Sequence, residues 1–384
     1  MSARSVVASV LALAATTAQS ATFIPLGDIP GGLGFASEAR AVSADGTVVV
    51  GFGIGDDDVE AFRWTGGTMV GLGQLPGGNN QSIANAVSAD GAVVVGSGNY
   101  GGNAGAFRWT ATAGMVDIGD LPGGQLFAHA YGVSADGNVV VGASGSTAGT
   151  QAFVWTPDAG MVGLGDLPGG FFSSNALAVT PDGSVIVGQG VSSSGEEGFR
   201  WTGAGGMSGI GDLAGGNFAS AALAVSPDGN IIVGFGSSTG GYEAMRWTED
   251  TGMVGLGRLG TAQGWAQAVS AAGNVIVGDS FSGADSEAFI WTEATGMQRL
   301  LDVLVAGGAA GLDGWTLLHA KGISPDGQWI VGQGINGNGQ YEAFLAQVAV
   351  VPLPAGAWLS ATGLLALTST LRRRRTPGFR SEKP

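Results

Sequence analysis

A period of about 46 residues runs through the chain. Trp-Thr pairs place their tryptophan at Trp64, Trp109, Trp155, Trp201, Trp247 and Trp291, with spacings of 45, 46, 46, 46 and 44. A turn glycine recurs beside them at Gly46, Gly91, Gly137, Gly183, Gly229, Gly273 and Gly327, so the repeat has seven units. A fixed period of this length means stacked copies of one small unit, because no single copy can bury its apolar face alone. Each unit reads as four short strands, predicted in unit two over residues 85–88, 93–96, 106–110 and 115–119. Ala89-Asp90-Gly91 supplies a tight turn, the aspartate bonding its own backbone and the glycine taking positive φ. Val93 to Val95 are consecutive and β-branched, which suits a strand buried on both faces. In Ala106-Phe107-Arg108-Trp109 a period of two sets both aromatics on one face and the arginine on the other. Leu121-Pro122-Gly123-Gly124 ends the unit and starts a loop to the next.

Four strands in about 46 residues fit one blade of a β-propeller. The expected fold is therefore all-β, a seven-bladed β-propeller. Phe23 to Asp28 reads as an extra fourth strand ahead of unit one, and unit seven closes on Ala343-Phe344-Leu345, equivalent to a third strand. The N-terminal strand then completes the last blade and closes the ring. A linear β-solenoid remains the alternative; it has no need of complementary ends.

The two ends of the chain read as addresses. Arg4 precedes an apolar run from Val6 to Ala15 and small residues through Ser20, so residues 1–20 read as a Sec signal peptide, too short a run to span as an anchor. The repeats occupy residues 22–348, and a sorting segment follows over 351–375. Leu353 to Leu371 is apolar and long enough for one tilted transmembrane helix. Arg372, Arg373, Arg374 and Arg375 would hold its far end in the cytoplasm with the basic tail 376–384, leaving the repeats outside. Val351-Pro352-Leu353-Pro354-Ala355, the apolar helix and the arginine cluster resemble the VPLPA variant of PEP-CTERM sorting signals, with Leu353 where that family usually has Glu. The signal segment implies export by the Sec machinery and the apolar helix transient anchoring in the inner membrane, while the resemblance implies processing by an exosortase-like enzyme and a surface or extracellular location in a Gram-negative bacterium. The units Val-Ser-Ala-Asp-Gly, Val-Val-Val-Gly and Ala-Phe-Arg-Trp-Thr resemble the HAF family of extracellular repeats across residues 22 to 348. That likeness implies a secreted location and little chemistry.

Composition narrows the function classes. The chain has no cysteine and two histidines, His129 and His319, which removes thiolate sites and most imidazole mechanisms. Removing Arg4, Arg372 to Arg375, Arg380, Lys383 and Glu382 from 15 cations and 30 anions leaves 8 and 29, a net of −21. Such a surface repels nucleic acid and anionic polysaccharide and favours neutral glycans, cations or basic partners.

In a repeat protein, function is expected where the units disagree. Aligned on Ser43, Ser88, Ser134, Thr180, Ser226, Ser270 and Ser324, the first strands carry alanine four residues earlier and Ala or Gly two earlier. Five residues earlier stand Glu38, Ile83, His129, Asn175, Ala221, Trp265 and His319; three earlier stand Arg40, Asn85, Tyr131, Leu177, Leu223, Gln267 and Lys321. If this strand lines a channel, Glu38, Arg40, His129, Tyr131, Trp265, Gln267, His319 and Lys321 surround one mouth, a set suited to sugar or peptide binding. The plainer reading is that innermost strands tolerate solvent-facing variation. The six framework tryptophans read as packing, and Arg63, Arg108, Arg200 and Arg246 as bridges between units. No cofactor is expected; Asp56, Asp57 and Asp58 offer oxygen ligands for Ca²⁺ but lack the spacing of an EF-hand loop. Unit seven carries an insertion in which Asp313, Gly314 and Trp315 could cover a mouth. The expected function is that of a non-catalytic, surface-sorted protein that binds or organises matrix polysaccharide or a protein partner. An extracellular glycosidase or lyase, using Glu38 with His129, Tyr131 or His319, is the alternative. Glu38 is the sole acid of the two variable columns, which weakens a two-carboxylate mechanism.

Overall fold

The computed structural model describes residues 20–349 apart from 33, 56–57, 79–80, 261–262 and 282–285. The signal segment 1–19, the sorting motif Val351 to Ala355, the apolar stretch after it and Arg372 to Arg375 lie outside the described residues. Among the described residues no helix is long and apolar enough to cross a membrane. Residues 20–348 form one compact unit.

The unit is all-β but for one short helix, Leu300–Ala306. Each repeat contributes antiparallel strands in chain order. Unit one pairs Ser37–Val42, Val48–Ile54, Val59–Thr65 and Thr68–Gly71 in sequence, and unit two pairs Ser82–Val87, Val93–Tyr100, Asn103–Thr110 and Gly114–Asp117. Units three to six follow the same order; in unit seven Thr316–Ile323, Trp329–Ile335 and Tyr341–Gln347 do so. The fourth place in unit seven is taken by Thr22–Gly27, which pairs antiparallel with Tyr341–Gln347, Thr22 opposite Gln347 and Ile24 opposite Leu345. The first strands lie side by side in order, and that of unit seven lies beside that of unit one.

The Val-Val-Val strands are buried on both faces, as consecutive β-branched residues require: Val93, Val94 and Val95 are all buried. Seven apolar clusters fill the spaces between neighbouring sheets. One of them joins Phe62 and Val49 of unit one to Val331 and Leu345 of unit seven. The fully buried Phe62, Phe107, Phe153, Phe199, Phe289 and Phe344 recur at one strand position. The framework tryptophans pack into these clusters, as Trp64 and Trp109 illustrate.

The hairpin between first and second strands repeats one device. The Ser88 hydroxyl donates to Asp90 (2.6 Å) and accepts from the Val93 N–H (2.9 Å), while Asp90 also accepts from the Ala92 N–H. In unit six, where Ala272 replaces the aspartate, Ser270 donates instead to Asn274. The turn glycine has positive φ, +71° at Gly91, and a Cβ there would lie 2.5 Å from Val48 of the preceding unit. Gly46 stands in the same relation to Trp329 of unit seven. A second device uses a buried serine six residues before the hydroxyl. Ser82 accepts the Ala61 N–H (3.0 Å) of the preceding unit and donates to the Gly73 carbonyl (2.7 Å). Ser37 accepts the Ala343 N–H of unit seven (3.0 Å) in the same way.

The insertion of unit seven adds core. Helix Leu300–Ala306 buries Leu300 and Leu304, and Trp315 stacks edge-on against Phe23 with ring centres 4.9 Å apart. Trp315 is thus committed to packing. The Gly-Gly segments also differ from expectation: in units three and four, after proline, and in unit five, after Ala214, the glycines already belong to lengthened first strands, Gly123–Val133, Gly169–Val179 and Gly215–Val225.

Candidate functional site

Because the strands of a unit alternate in direction, the molecule has a turn end, where the Ser-x-Asp-Gly hairpins lie, and an opposite end where the first strands begin. Both variable columns lie towards that second end. Every first strand carries a β-bulge between the alanines that flank the second column, from Ala39 to Ala41 in unit one through Ala320 to Gly322 in unit seven. The bulged residues are Arg40, Asn85, Tyr131, Leu177, Leu223, Gln267 and Lys321. A bulge frees one residue from the ladder and re-aims its side chain, so the second variable column sits where pairing is interrupted, while the first is paired in the ladder. Small flanking residues permit close approach: a Cβ on Gly322 would lie 2.9 Å from the Arg40 carbonyl oxygen.

The eight expected residues fall into two groups. In the first, Arg40 pairs with Glu38 (3.0 Å), donates to the Asn85 side-chain oxygen (2.6 Å) and lies 5.0 Å from the centre of the Phe52 ring. His129 stacks on Tyr131 with centres 6.0 Å apart and meets Ser97 at 2.9 Å through Nδ1. Burial lowers the pKa of His129, keeping it neutral at pH 7, and raises that of Tyr131 against the opposing charge of Arg40. In the second group, Lys321 (3.3 Å), Gln267 (3.1 Å) and His319 (3.6 Å) converge on one carboxylate oxygen, that of Asp279. Trp265 stacks edge-on against Phe281, ring centres 5.5 Å apart.

Glu38 is the sole acid of the two columns, but Asp279, outside them, adds a second carboxylate among these residues. It stands on the second strand of unit six, directly opposite Trp265. The residue after the glycine of each Val-x-Val-Gly segment forms a third variable column: Phe52, Ser97, Ala143, Gln189, Phe235, Asp279 and Gln333. The signal was the same disagreement between units, one strand further out. Burial pushes the Asp279 carboxyl up, but the His319 hydrogen bond, the charges of Lys321 and His319, and the Gln267 amide together hold it below the ordinary range.

Among the expected residues and Asp279 the charges are thus matched inside the protein, Glu38 with Arg40 and Asp279 with Lys321. Ser286 approaches His319 at 3.4 Å, but through the same Nδ1 that faces Asp279, and its hydroxyl donates to the Leu318 carbonyl. A hydroxyl–imidazole–carboxylate relay needs both ring nitrogens, so these three do not form one. In units four and five the bulged column is Leu177 and Leu223, and the polar lining there is reduced to Asn175 and Gln189 of unit four. At the turn end a cavity of about 230 Å³ is lined by Val42, Val87, Val133, Val179, Val225, Val269 and Ile323, one from each unit. It is walled by aliphatic side chains and lies away from the polar groups. Among the described residues no group of acids and histidines could hold a metal ion. Of the Ca²⁺ candidates, Asp56 and Asp57 lie outside the described residues, and Asp58 accepts from the Val59 N–H. Arg63 and Arg108 donate to the turn carbonyls of Gly91 and Gly137 in the next unit.

Oligogalacturonate lyase from Vibrio parahaemolyticus superimposes with a TM-score of 0.51 at 11% identity, over 86% of this chain and 97% of that one. The fold is propeller-like. TolB from Acinetobacter baumannii gives a TM-score of 0.46 at 12% identity over 67% of this chain, which spans 60% of TolB. The Dos1 propeller gives 0.45 at 10% identity, over 86% of this chain and 95% of that one. No protein-family model matches the chain, and no curated protein sequence does.

Proposed function

We propose that the seven sheets make a closed seven-bladed propeller and that the protein is a non-catalytic, exported binding scaffold whose ligand site is the mouth opposite the turns. Closure is supported by the recurrence of both inter-unit devices at the join of units seven and one: the Ser37–Ala343 bond repeats those of Ser82, Ser174 and Ser220, and Gly46 packs on Trp329 as the other turn glycines pack on the preceding unit. Export, sorting at the C-terminal VPLPA-like signal and a surface location rest on the sequence resemblances.

The observation that carries the binding reading is the internal pairing of charge at the mouth. With Glu38 matched to Arg40 and Asp279 to Lys321, what remains for a ligand is half-exposed aromatic surface at Trp265, Tyr131 and His129, with the amides of Gln267 and Asn175. Flat rings and neutral hydrogen-bonding groups suit an uncharged glycan. Asp279 supplies the glycosidase or lyase reading with a second carboxylate beside Glu38. Its partners hold it ionised, however, so it has no proton to give a leaving group at neutral pH.

The test is a glycan and exopolysaccharide array on the full-length protein beside the double variant Trp265→Ala/His129→Ala. Saturable binding of a neutral glycan, lost in the variant and without product formation, is the expected result. Turnover of a bound glycan, abolished by Asp279→Asn, would replace scaffold by enzyme.

A further inference from the structure

The two most exposed large apolar side chains among the described residues, Phe171 (73%) and Leu126 (65%), stand one place apart in the repeat on adjacent units, and Phe218 (36%), the equivalent of Leu126, follows in the next. All three sit where the lengthened first strands begin. The pairing register jumps from Gly123 opposite Ser146 to Ala128 opposite Ser144, from Gly169 opposite Ser192 to Ser174 opposite Gly190, and from Gly215 opposite Ser238 to Ser220 opposite Gly236. Four residues stand opposite one each time, and the apolar tip is carried on that wide bulge.

The segments that carry Phe171 and Phe218 are held, not loose. Asp166 accepts the Ser173 N–H and Asp212 the Ala219 N–H, both at 2.9 Å. Ser173 and Ala219 also bridge to Thr150 and Glu196 of the preceding units. Gly149 and Gly195 approach so closely that a Cβ would lie 2.5 and 2.7 Å from the Phe172 and Phe218 carbonyl oxygens, at φ of +142° and +136°. Exposed apolar groups on three consecutive units, two of them on fixed backbone, make a pre-organised contact surface.

Its charge environment selects the partner. Asp120, Asp166, Glu196, Glu197 and Asp212 lie at this end of units three to five. The lysine and arginine count of those units is two, Arg200 and Arg246, and both line a recess at the turn end with Gly229 and Asn230. Arg258, at the border, is tied to Glu243 (3.3 Å) and to Ser238. A second copy of this chain would bring like charge against like charge. Two phenylalanines and a leucine offer no hydroxyl or indole N–H to a sugar. We infer that the exposed residues Leu126, Phe171 and Phe218 are a docking surface for a basic, amphipathic polypeptide segment, at the start of the same strands that carry the mouth residues His129 and Asn175.

The experiment is a calorimetric titration of the full-length protein with a short synthetic amphipathic peptide of leucine and lysine. The same peptide with glutamate for lysine and a glucosamine oligomer serve as comparison probes. The variants are Leu126→Ser/Phe171→Ser, both exposed and so expected to fold, and Val116→Ser, equally apolar but on an outer strand; unfolding midpoints verify folding. The lysine peptide should bind and the glutamate peptide should not. The double variant should weaken binding about tenfold or more and Val116→Ser should leave it unchanged. Equal binding to wild type and double variant would reduce the effect to net charge and overturn the inference. So would the absence of peptide binding, or loss in the double variant of glucosamine-oligomer binding alone, which would make this surface a glycan site.

Discussion

At the turn end of the first strands the seven units agree, and at the other end they do not. Ser88 with Asp90 and Gly91 against Val48 recur around the molecule with conservative changes, as where Asn274 replaces the aspartate of unit six. Three residues before the hydroxyl on the same strands stand Arg40, Tyr131, Leu177 and Lys321, set on a bulge that every unit shares. The difference teaches that one strand can serve two purposes. Its turn end specifies neighbour contacts and tolerates little, while its bulged end keeps the backbone constant and leaves the side chain free to vary.

The largest effect expected from breaking the constant framework is at Phe107. Phe107→Ala empties a fully buried ring site and should cost about 3–5 kcal/mol in denaturant unfolding. Next come the serines that link units. Ser82→Ala and Ser37→Ala each leave a buried N–H without its acceptor and should each cost about 1–3 kcal/mol. Equality of the two is the sharper point, since Ser37 serves the join of units seven and one. A cost at Ser82 with none at Ser37 would break the equivalence.

Acid should act on the turn end. Hydrogen bonds from Ser43 and from Thr47 lower the Asp45 carboxyl to about 2, and Thr180 and Ser184 do the same for Asp182; Asp90, Asp136 and Asp228 are lowered too. A folded-state pKa below the unfolded one gives stability that is present above the ordinary carboxylate range and lost as pH falls through the folded value. Thermal midpoints should therefore fall between about pH 4 and pH 2. Asp90→Asn should flatten part of that fall, and an unchanged profile would contradict the turn assignment. Smallest in stability are mouth variants: Trp265→Ala and Gln267→Ala should shift unfolding by about 1 kcal/mol or less while removing ligand binding.

The sequence carried the framework because the framework is periodic. The turn glycines, the buried valines and the place of the N-terminal strand could be read by aligning units, and so could the two columns holding Glu38, His129 and Lys321. Three things lay outside that reach. Strand alternation could not reveal the bulge at Arg40 and its equivalents, since a bulge changes pairing without changing composition. Asp279 was missed because its strand looked wholly buried, and only the pairing with Trp265 brings it to the mouth. The insertion around Trp315 had no repeat to be compared with, and its role is set by a contact with Phe23, far away in sequence.

The central claim is that the ring closes and so brings units six, seven and one to three around a single mouth. The chain has no cysteine, so engineered thiols report without background. Arg40→Cys/Asn85→Cys joins bulged residues of units one and two, whose side chains touch at 2.6 Å. Lys321→Cys/Arg40→Cys makes the corresponding pair across units seven and one. With a short bifunctional thiol reagent both variants should cross-link within one chain to the same extent. Efficient linkage of the first pair with none of the second would contradict closure and, with it, the single mouth.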